Sequence, residues 1–393
     1  MLECFYNIID KFYKIRLTAF TWNLLKFTNK KRLYIQRRVK VFMLDDVNRK
    51  KKERPKKIKR VLIVCVSDGW GNSLFLLGLC KRLYDNDLLV SVVVRDEFKD
   101  RFNGTKYIEN IFSLNKELKN IVNFAPDLCL DIEYIALRYW KERVSVFKLL
   151  DCHIASTSLL AKESTFVDKY LNLRTSRHIS ERFAVIASYV LNKEQLPIYP
   201  EVRIANKNYC AIKEWILKKN IKVNKVVYLN CMARDRDRCL NTKQANAIIQ
   251  ELSQFGYTTV INIECDETEK CTLKENNKSI LFLKKISFED LCALIDMVDF
   301  VITPDTSVTH IASAVDKDSF VIFPPNDRDY WPEYRAADVW DGLSRNSKTY
   351  YQDDKNLKID IFGYSNVRPG ENGMYLPDIL AKEVREFIRD NLK

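Results

Sequence analysis

Twice along this 393-residue chain, short runs built almost wholly of apolar residues alternate with segments of helical character. The first series is RVLIVCV (60–66), the helical GNSLFLLGLCKRLYDN (71–86), LLVSVVVR (88–95) and DLCLDIEY (127–134). The second is KVVYLNC (225–231), a helix over 242–255, YTTVINIEC (257–265), ILFLKK (280–285), a helix over 288–298, FVITPD (300–305), a helix over 307–315 and SFVIFP (319–324). A strand that is apolar at every position, rather than at alternate ones, has to be covered on both faces. Helices returning between such strands supply that cover, so each series predicts a parallel sheet in an α/β domain. The two prolines of LPIYPEV (196–202) mark a linker between them. The predicted organisation is an N-terminal extension over residues 1–58, a first Rossmann-like domain over 59–200 and a second over 201–393.

Charge separates the extension from the rest. Residues 1–60 carry 19 Lys and Arg against five Asp and Glu, whereas the other 333 residues carry 46 against 47. Within the extension Phe5, Ile8, Phe12, Ile15, Ala19 and Trp22 fall on one helical stripe, with Lys11, Lys14 and Arg16 off it. That is the pattern of an amphipathic helix, which lies on an anionic membrane surface or docks on the protein's own body. Its aromatic residues follow the stripe rather than forming a stacking platform, which argues against nucleic acid as partner. No run approaches the ~18 apolar residues of a membrane span, and no small-residue cleavage site follows. The eleven cysteines include no CxxC pair, so neither a zinc cluster nor a disulfide framework is expected. A cytoplasmic protein, peripheral on the inner face of the membrane, is the expectation.

In doubly wound sheets ligands sit beyond the carboxyl ends of the strands, so chemistry is sought in the loops there. After the first strand comes SDGWGN (67–72). Gly69 and Gly71 permit close backbone approach ahead of a helix start, and Asp68 is the only carboxylate in the loop. After FVITPD, the amides at Thr306, Ser307 and Val308 open a helix and suit a diphosphate, with the two hydroxyls adding to them. Asp305 suits sugar hydroxyls or the capping of that helix. His310 lies one turn in.

FEDLCALIDMVDFVITPDTSVTHIASAV followed by SFVIFPP resembles the C-terminal signature of glycosyltransferase family 9, the heptosyltransferase family of lipopolysaccharide assembly. Asp305, Thr306, His310, Ala312 and Ala314 match its Asp-Thr-Gly-x-x-His-x-Ala-x-Ala segment, with Ser307 in place of the glycine. KRVLIVCVSDGWGNSLFLLGLCKRL is similar to the family's opening strand and glycine turn, RHISERF (177–183) to its inter-domain His-x-x-x-Arg segment, and LNCMARDRDRCLNTKQANAII to its donor-phosphate loop. The resemblance spans roughly residues 59–325.

This resemblance implies a GT-B fold, two facing Rossmann-like domains with the nucleotide sugar on the second and the acceptor on the first. It implies an inverting, metal-independent transfer with no cofactor besides the donor, ADP-heptose in the family, to a lipopolysaccharide core or other lipid-linked saccharide. The donor side would comprise Arg234, Arg238, Glu264, Asp305, Thr306, Ser307 and His310. The acceptor side would comprise Gly69, Gly71, His178 and Arg182, the last two read as a helical i, i+4 pair. Where the family ends its glycine turn in Gly-Asp, its usual base, this sequence has Gly71-Asn72. An amide cannot take up the proton of the attacking hydroxyl. Either Asp68 serves, or another carboxylate reaches in, or the protein binds without turning over; a nucleotide-sugar hydrolase or epimerase of the same fold is the further alternative. Asp235 and Asp237 form an Asp-x-Asp, but the arginines crowding it disfavour a divalent ion, and no metal site is expected.

Overall fold

The computed structural model describes residues 50–66, 69–114, 116–133, 139–158, 164–173, 176, 178–219, 225–234, 238–277, 279–283, 286–323, 339–344, 347–351 and 377–391. The predicted amphipathic stripe, Asp68, Asp235, Arg236 and Asp237 lie outside the described residues.

The first domain is one parallel sheet of β1 (Arg60–Val64), β2 (Leu89–Val94), β3 (Asn110–Ser113), β4 (Leu128–Asp131), β5 (His153–Ser156) and β6 (Lys169–Tyr170), in the order β3-β2-β1-β4-β5-β6. The second repeats that plan with β7 (Val226–Asn230), β8 (Thr258–Asn262), β9 (Ile280–Phe282), β10 (Phe300–Pro304), β11 (Ser319–Phe323) and β12 (Lys348–Tyr351), in the order β9-β8-β7-β10-β11-β12. In each, the chain starts centrally, moves outward over three strands and crosses back. That leaves a topological switch point between β1 and β4 and another between β7 and β10. The alternation seen in the sequence does the work: Val61 and Ile63 pack on one side of the first sheet, Leu62 and Val64 on the other.

The covering helices of the first domain are α1 (Trp70–Tyr84), α2 (Leu118–Phe124), α3 (Trp140–Leu149) and α4 (Ile179–Leu191); a 3-10 turn (Asp96–Arg101) follows β2. The second domain has α5 (Asn206–Leu217), α6 (Thr242–Gln254), α7 (Glu267–Asn276), α8 (Phe288–Met297), α9 (Ser307–Ala314) and α10 (Pro377–Asn391). Two parallel sheets with helices on both faces are the GT-B arrangement.

The domains meet through α1. Leu74 on this helix belongs to the apolar core of the second domain, while Val339, contributed by the chain beyond β11, belongs to that of the first. Along the same helix Gly78 lets the linker pass, since a Cβ there would lie 2.0 Å from the Tyr199 carbonyl oxygen. Among the described residues ten cysteines are free, seven of them buried, and no helix is long and apolar enough to cross a membrane.

Candidate functional site

The carboxyl ends of β7, β8 and β10 are tied together by one side chain. Asn230 closes β7 and donates through Nδ2 to Thr303 Oγ1 at 3.0 Å, to the Met232 carbonyl at 2.9 Å and to Thr306 Oγ1 at 3.4 Å. Its Oδ1 accepts from Asn262 Nδ2 at 3.2 Å and from the Met232 amide at 3.2 Å. Sequence reasoning missed this hub. Its signal is a polar residue ending three neighbouring apolar strands in register, Asn230 facing Asn262 across the β7/β8 pair.

The loop after β10 is built on this base. Thr306 is the N-cap of α9, its hydroxyl accepting from the Val308 amide at 3.2 Å, so the capping alternative read for Asp305 is corrected. Asp305 instead accepts from Arg238 Nη1 at 2.6 Å through Oδ2. Two residues predicted to meet the donor, 67 positions apart in the chain, are thus held together where helix-start amides emerge. A guanidinium presents five N–H donors in a planar fork, a geometry that suits phosphate as well as carboxylate. Ser307 opens the helix half-buried beside them.

Elsewhere on the donor side the placements differ. Arg234 and Glu264 are exposed, the Glu264 amide lying 3.1 Å from Met232 Sδ. In the acidic stretch after Glu264, Asp266 forms a capping box with Glu269 at the start of α7.

His310 is 4 % exposed and faces the first domain. A Cβ built on Gly71 would lie 2.6 Å from its Cδ2, so the glycine is what lets the two helix starts touch. Phe75 meets the ring edge-on at 5.2 Å and Trp340 lies 5.7 Å away. Burial pulls the His310 pKa down to about 3, helped by His178, so the imidazole is neutral near pH 7 and brings no positive charge to the cleft. Because Phe75 and Trp340 leave the ring nowhere to go, Gly71→Ala is expected to cost about 1–3 kcal/mol by overpacking. In a His310→Ala background the same Gly71→Ala change should cost little in thermal denaturation, a coupling that additive sites would not show.

The mouth carries aromatic groups that the motifs did not single out. Trp70, the first residue of α1, stacks on Phe288 of α8 with centroids 3.6 Å apart, closing the inter-domain contact beside Gly71. The Arg101 guanidinium lies 4.2 Å from the Trp70 ring centroid and donates to Ser73 Oγ at 3.2 Å. Gly69 is the N-cap of α1 without a side-chain cap bond, and Asn72 sits half-buried in its first turn. Glu133, just past β4 and so beside the β1 loop, is a buried carboxylate that the sequence reading also passed over.

His178 and Arg182 require correction as a helical pair. His178 has extended backbone and is the N-cap of α4, its Nδ1 accepting from the Ser180 amide at 3.1 Å, in a capping box with Glu181. Its Nε2 lies 3.2 Å from the Asp341 carbonyl of the second domain, and burial lowers its pKa. Arg182 is 1 % exposed and donates from Nε to the Ser176 carbonyl at 3.2 Å. Only His178 reaches the domain boundary; Arg182 is built into the first domain's interior. Among the described residues no group of three or more His, Cys, Asp or Glu side chains is placed to hold a metal.

Comparison with known proteins bears on the family and the fold. The description of glycosyltransferase family 9 (heptosyltransferase) matches residues 156–359. A lipopolysaccharide heptosyltransferase 3 from Escherichia coli is 26% identical over 138 residues, 33% of this chain and 41% of that protein, so the match spans less than half of the relative's length. A family 9 glycosyltransferase from Veillonella parvula superposes with a TM-score of 0.64 at 13% identity, covering 86% of this chain and all of the other. The ADP-heptose lps heptosyltransferase II of E. coli gives 0.61 at 12% identity, with 86% and 100% coverage. An E. coli heptosyltransferase bound to ADP gives 0.56 at 16% identity, with 85% and 98% coverage. These superpositions speak to the fold, two facing Rossmann-like domains, while the family match takes in β10, its loop and α9. By that match, over half its length, the chain belongs to glycosyltransferase family 9.

Proposed function

We propose that the chain is a heptosyltransferase-like glycosyltransferase that moves a sugar from a nucleotide diphosphate donor to a saccharide acceptor by a single, inverting displacement without a metal ion. The observation that carries this reading is the Arg238–Asp305 pair at the amino end of α9, facing the glycine turn of the other domain through the His310–Gly71 contact. The amides of Thr306 and Ser307 and the positive end of α9 suit the donor's diphosphate, and Arg238, with Arg234 nearby in the chain, suits the charge that grows on it as it leaves. Glu264, exposed just past β8, would meet the ribose in this reading. ADP-heptose is the donor to try first, since two of the structural relatives are described with ADP or ADP-heptose.

In this reading the acceptor lies on the first domain against Gly69, Gly71 and Asn72. Its hydroxyl oxygen attacks the anomeric carbon as the bond to the diphosphate oxygen breaks, and its proton passes to a carboxylate. Asn72 favours one rival, a protein that binds the nucleotide sugar and transfers nothing.

A thermal-shift screen against ADP-, GDP- and UDP-sugars tests the donor site. Tight binding at a hundredfold excess over Kd contributes about 2.7 kcal/mol to stability. The wild type is expected to be stabilised by one nucleotide class, and Asp305→Ala to lose most of that stabilisation. An undiminished shift in Asp305→Ala would remove the donor assignment. Product analysis with and without a saccharide acceptor separates transfer from hydrolysis and from binding alone.

A further inference from the structure

We propose that the amino-end face of the first sheet is a docking surface for an anionic lipid bilayer, which holds the cleft at the far end of the strands. Residues 50–60 run as a strap across that face and are fixed to it at successive strand starts. The Lys52 amide donates to Asp168 Oδ1 at 2.8 Å, ahead of β6, and the Lys52 carbonyl lies 2.7 Å from His153 Nδ1, the first residue of β5. A carbonyl only accepts, so Nδ1 carries a hydrogen, and Nε2 lies 2.7 Å from the Tyr189 hydroxyl. The Arg54 guanidinium donates to the Val190 carbonyl at 3.0 Å near the end of α4. The Lys59 and Arg60 amides both donate to Asp127 Oδ2, at 2.7 and 2.9 Å, just ahead of β4.

With its backbone held this way, the strap turns its charges outward. Eight of its eleven residues are Lys or Arg and only Glu53 is acidic, although the chain beyond residue 60 is close to neutral. Lys50, Lys51, Lys56, Lys57 and Lys59 are exposed, and none forms an ion pair with a described residue. Lys52 pairs with Asp151; Asp85 and Asp87, ahead of β2, are exposed acids bordering the strap. Large apolar side chains stand free at the same end of the domain. Tyr84 closes α1, Leu149 closes α3 and Leu89 opens β2, and they are 42, 43 and 45 % exposed. Lysines interspersed with exposed apolar groups suit the headgroup region of an acidic bilayer, where cations meet phosphate and apolar tips enter the interface. A nucleic acid would instead favour a stacking platform, and Tyr189 is occupied by Arg54 and His153.

The orientation has a consequence that rests on the proposed transfer reaction. A five-residue strand such as β1 is about 17 Å long, so the cleft stands about that far from the lipid. The acceptor would then be a saccharide that already projects from the bilayer by several sugars.

The test uses the full-length chain and vesicles of phosphatidylcholine with and without phosphatidylglycerol. Changing the five exposed strap lysines to Glu should weaken co-sedimentation with the acidic vesicles by on the order of a hundredfold or more, because each lysine near such a surface contributes about fivefold. The control changes the exposed Lys207, Lys213, Lys219, Lys243 and Lys382 of the second domain to Glu and should stay within about threefold of wild type. Hydrogen exchange on the vesicles should slow in residues 50–60 and not in 69–72 or 305–310. Equal losses in the two sets of variants overturn the proposal, as does protection at 69–72 instead of 50–60. Tighter binding to duplex DNA than to acidic vesicles at the same salt also overturns it. Donor-induced thermal stabilisation is measured on the same strap variant and should be unchanged, so a failure here is distinguishable from a failure of the donor site.

Discussion

Replacing Arg143 with leucine is expected to lower the melting temperature of the protein's first transition by roughly 6–20 °C, the equivalent of about 3–5 kcal/mol in a domain of this size. Arg143 and Asp131 are both 0 % exposed, and Arg143 Nη1 lies 2.7 Å from each carboxylate oxygen. The pair joins α3 to the end of β4, and Ser156 Oγ donates to Asp131 Oδ2 at 2.5 Å from the neighbouring strand. As a pair the two ions contribute little, because their attraction mostly offsets the cost of removing both from water. Removing the arginine alone leaves a carboxylate buried with a single hydroxyl donor and no counter-ion, and that asymmetry is the source of the large effect. Adding Asp131→Asn to the leucine variant should therefore recover a substantial part of the loss, since no charge then remains to be compensated. Differential scanning calorimetry reads both. A first transition within about 2 °C of wild type in Arg143→Leu would show that water or a rearranged side chain replaces the guanidinium.

That pair also marks where the sequence stops being readable. The apolar runs that became β1, β2, β7, β8, β10 and β11 were visible because they are short, rich in β-branched residues and apolar on both faces. The four-residue β5, the two-residue β6 and the edge strand β12 (KTYY) carry no comparable run. They are recruited by the edges of sheets already formed, a tertiary effect with no local signal. The same distinction governs the site. Asp305, Thr306 and Ser307 lie in one continuous motif, and the partnership of Asp305 with Arg238 was reachable as two candidates for one ligand, though not as an ion pair. His178 was misread as helical because an N-cap lies one residue outside the helix it starts. The Asn230 hub, the Trp70–Phe288 stack and the Gly71–His310 contact depend on the relative placement of strands or domains, which periodicity does not encode.

The identity of the base is open to a sharper experiment, and its outcome has the largest expected effect on rate. In the proposed reaction Asp68→Asn should lower kcat by on the order of 10²–10⁴ while leaving donor-induced stabilisation intact, because a general base acts on the acceptor hydroxyl and does not hold the donor. Glu133→Gln should leave kcat within about fivefold if Asp68 is the base, and the two results should exchange places if the buried carboxylate beyond β4 serves instead. Asn72→Asp restores a carboxylate in the first turn of α1, a turn that has no acidic residue and whose amides favour negative charge by about 0.3–1 kcal/mol. Placed in the Asp68→Asn background, it should return part of the lost activity. A base works only when deprotonated, so kcat/KM must fall as pH drops through its pKa. The low-pH limb should therefore move when the carboxylate is transferred from position 68 to 72, and a mere repair of folding would not shift it. If Asp68→Asn, Glu133→Gln and the Asp68→Asn/Glu133→Gln double variant all retain full transfer, neither carboxylate is the base. If the wild type binds donor and Asn72→Asp alone creates transfer, the natural protein is the nucleotide-sugar binder that its Gly71-Asn72 turn allows.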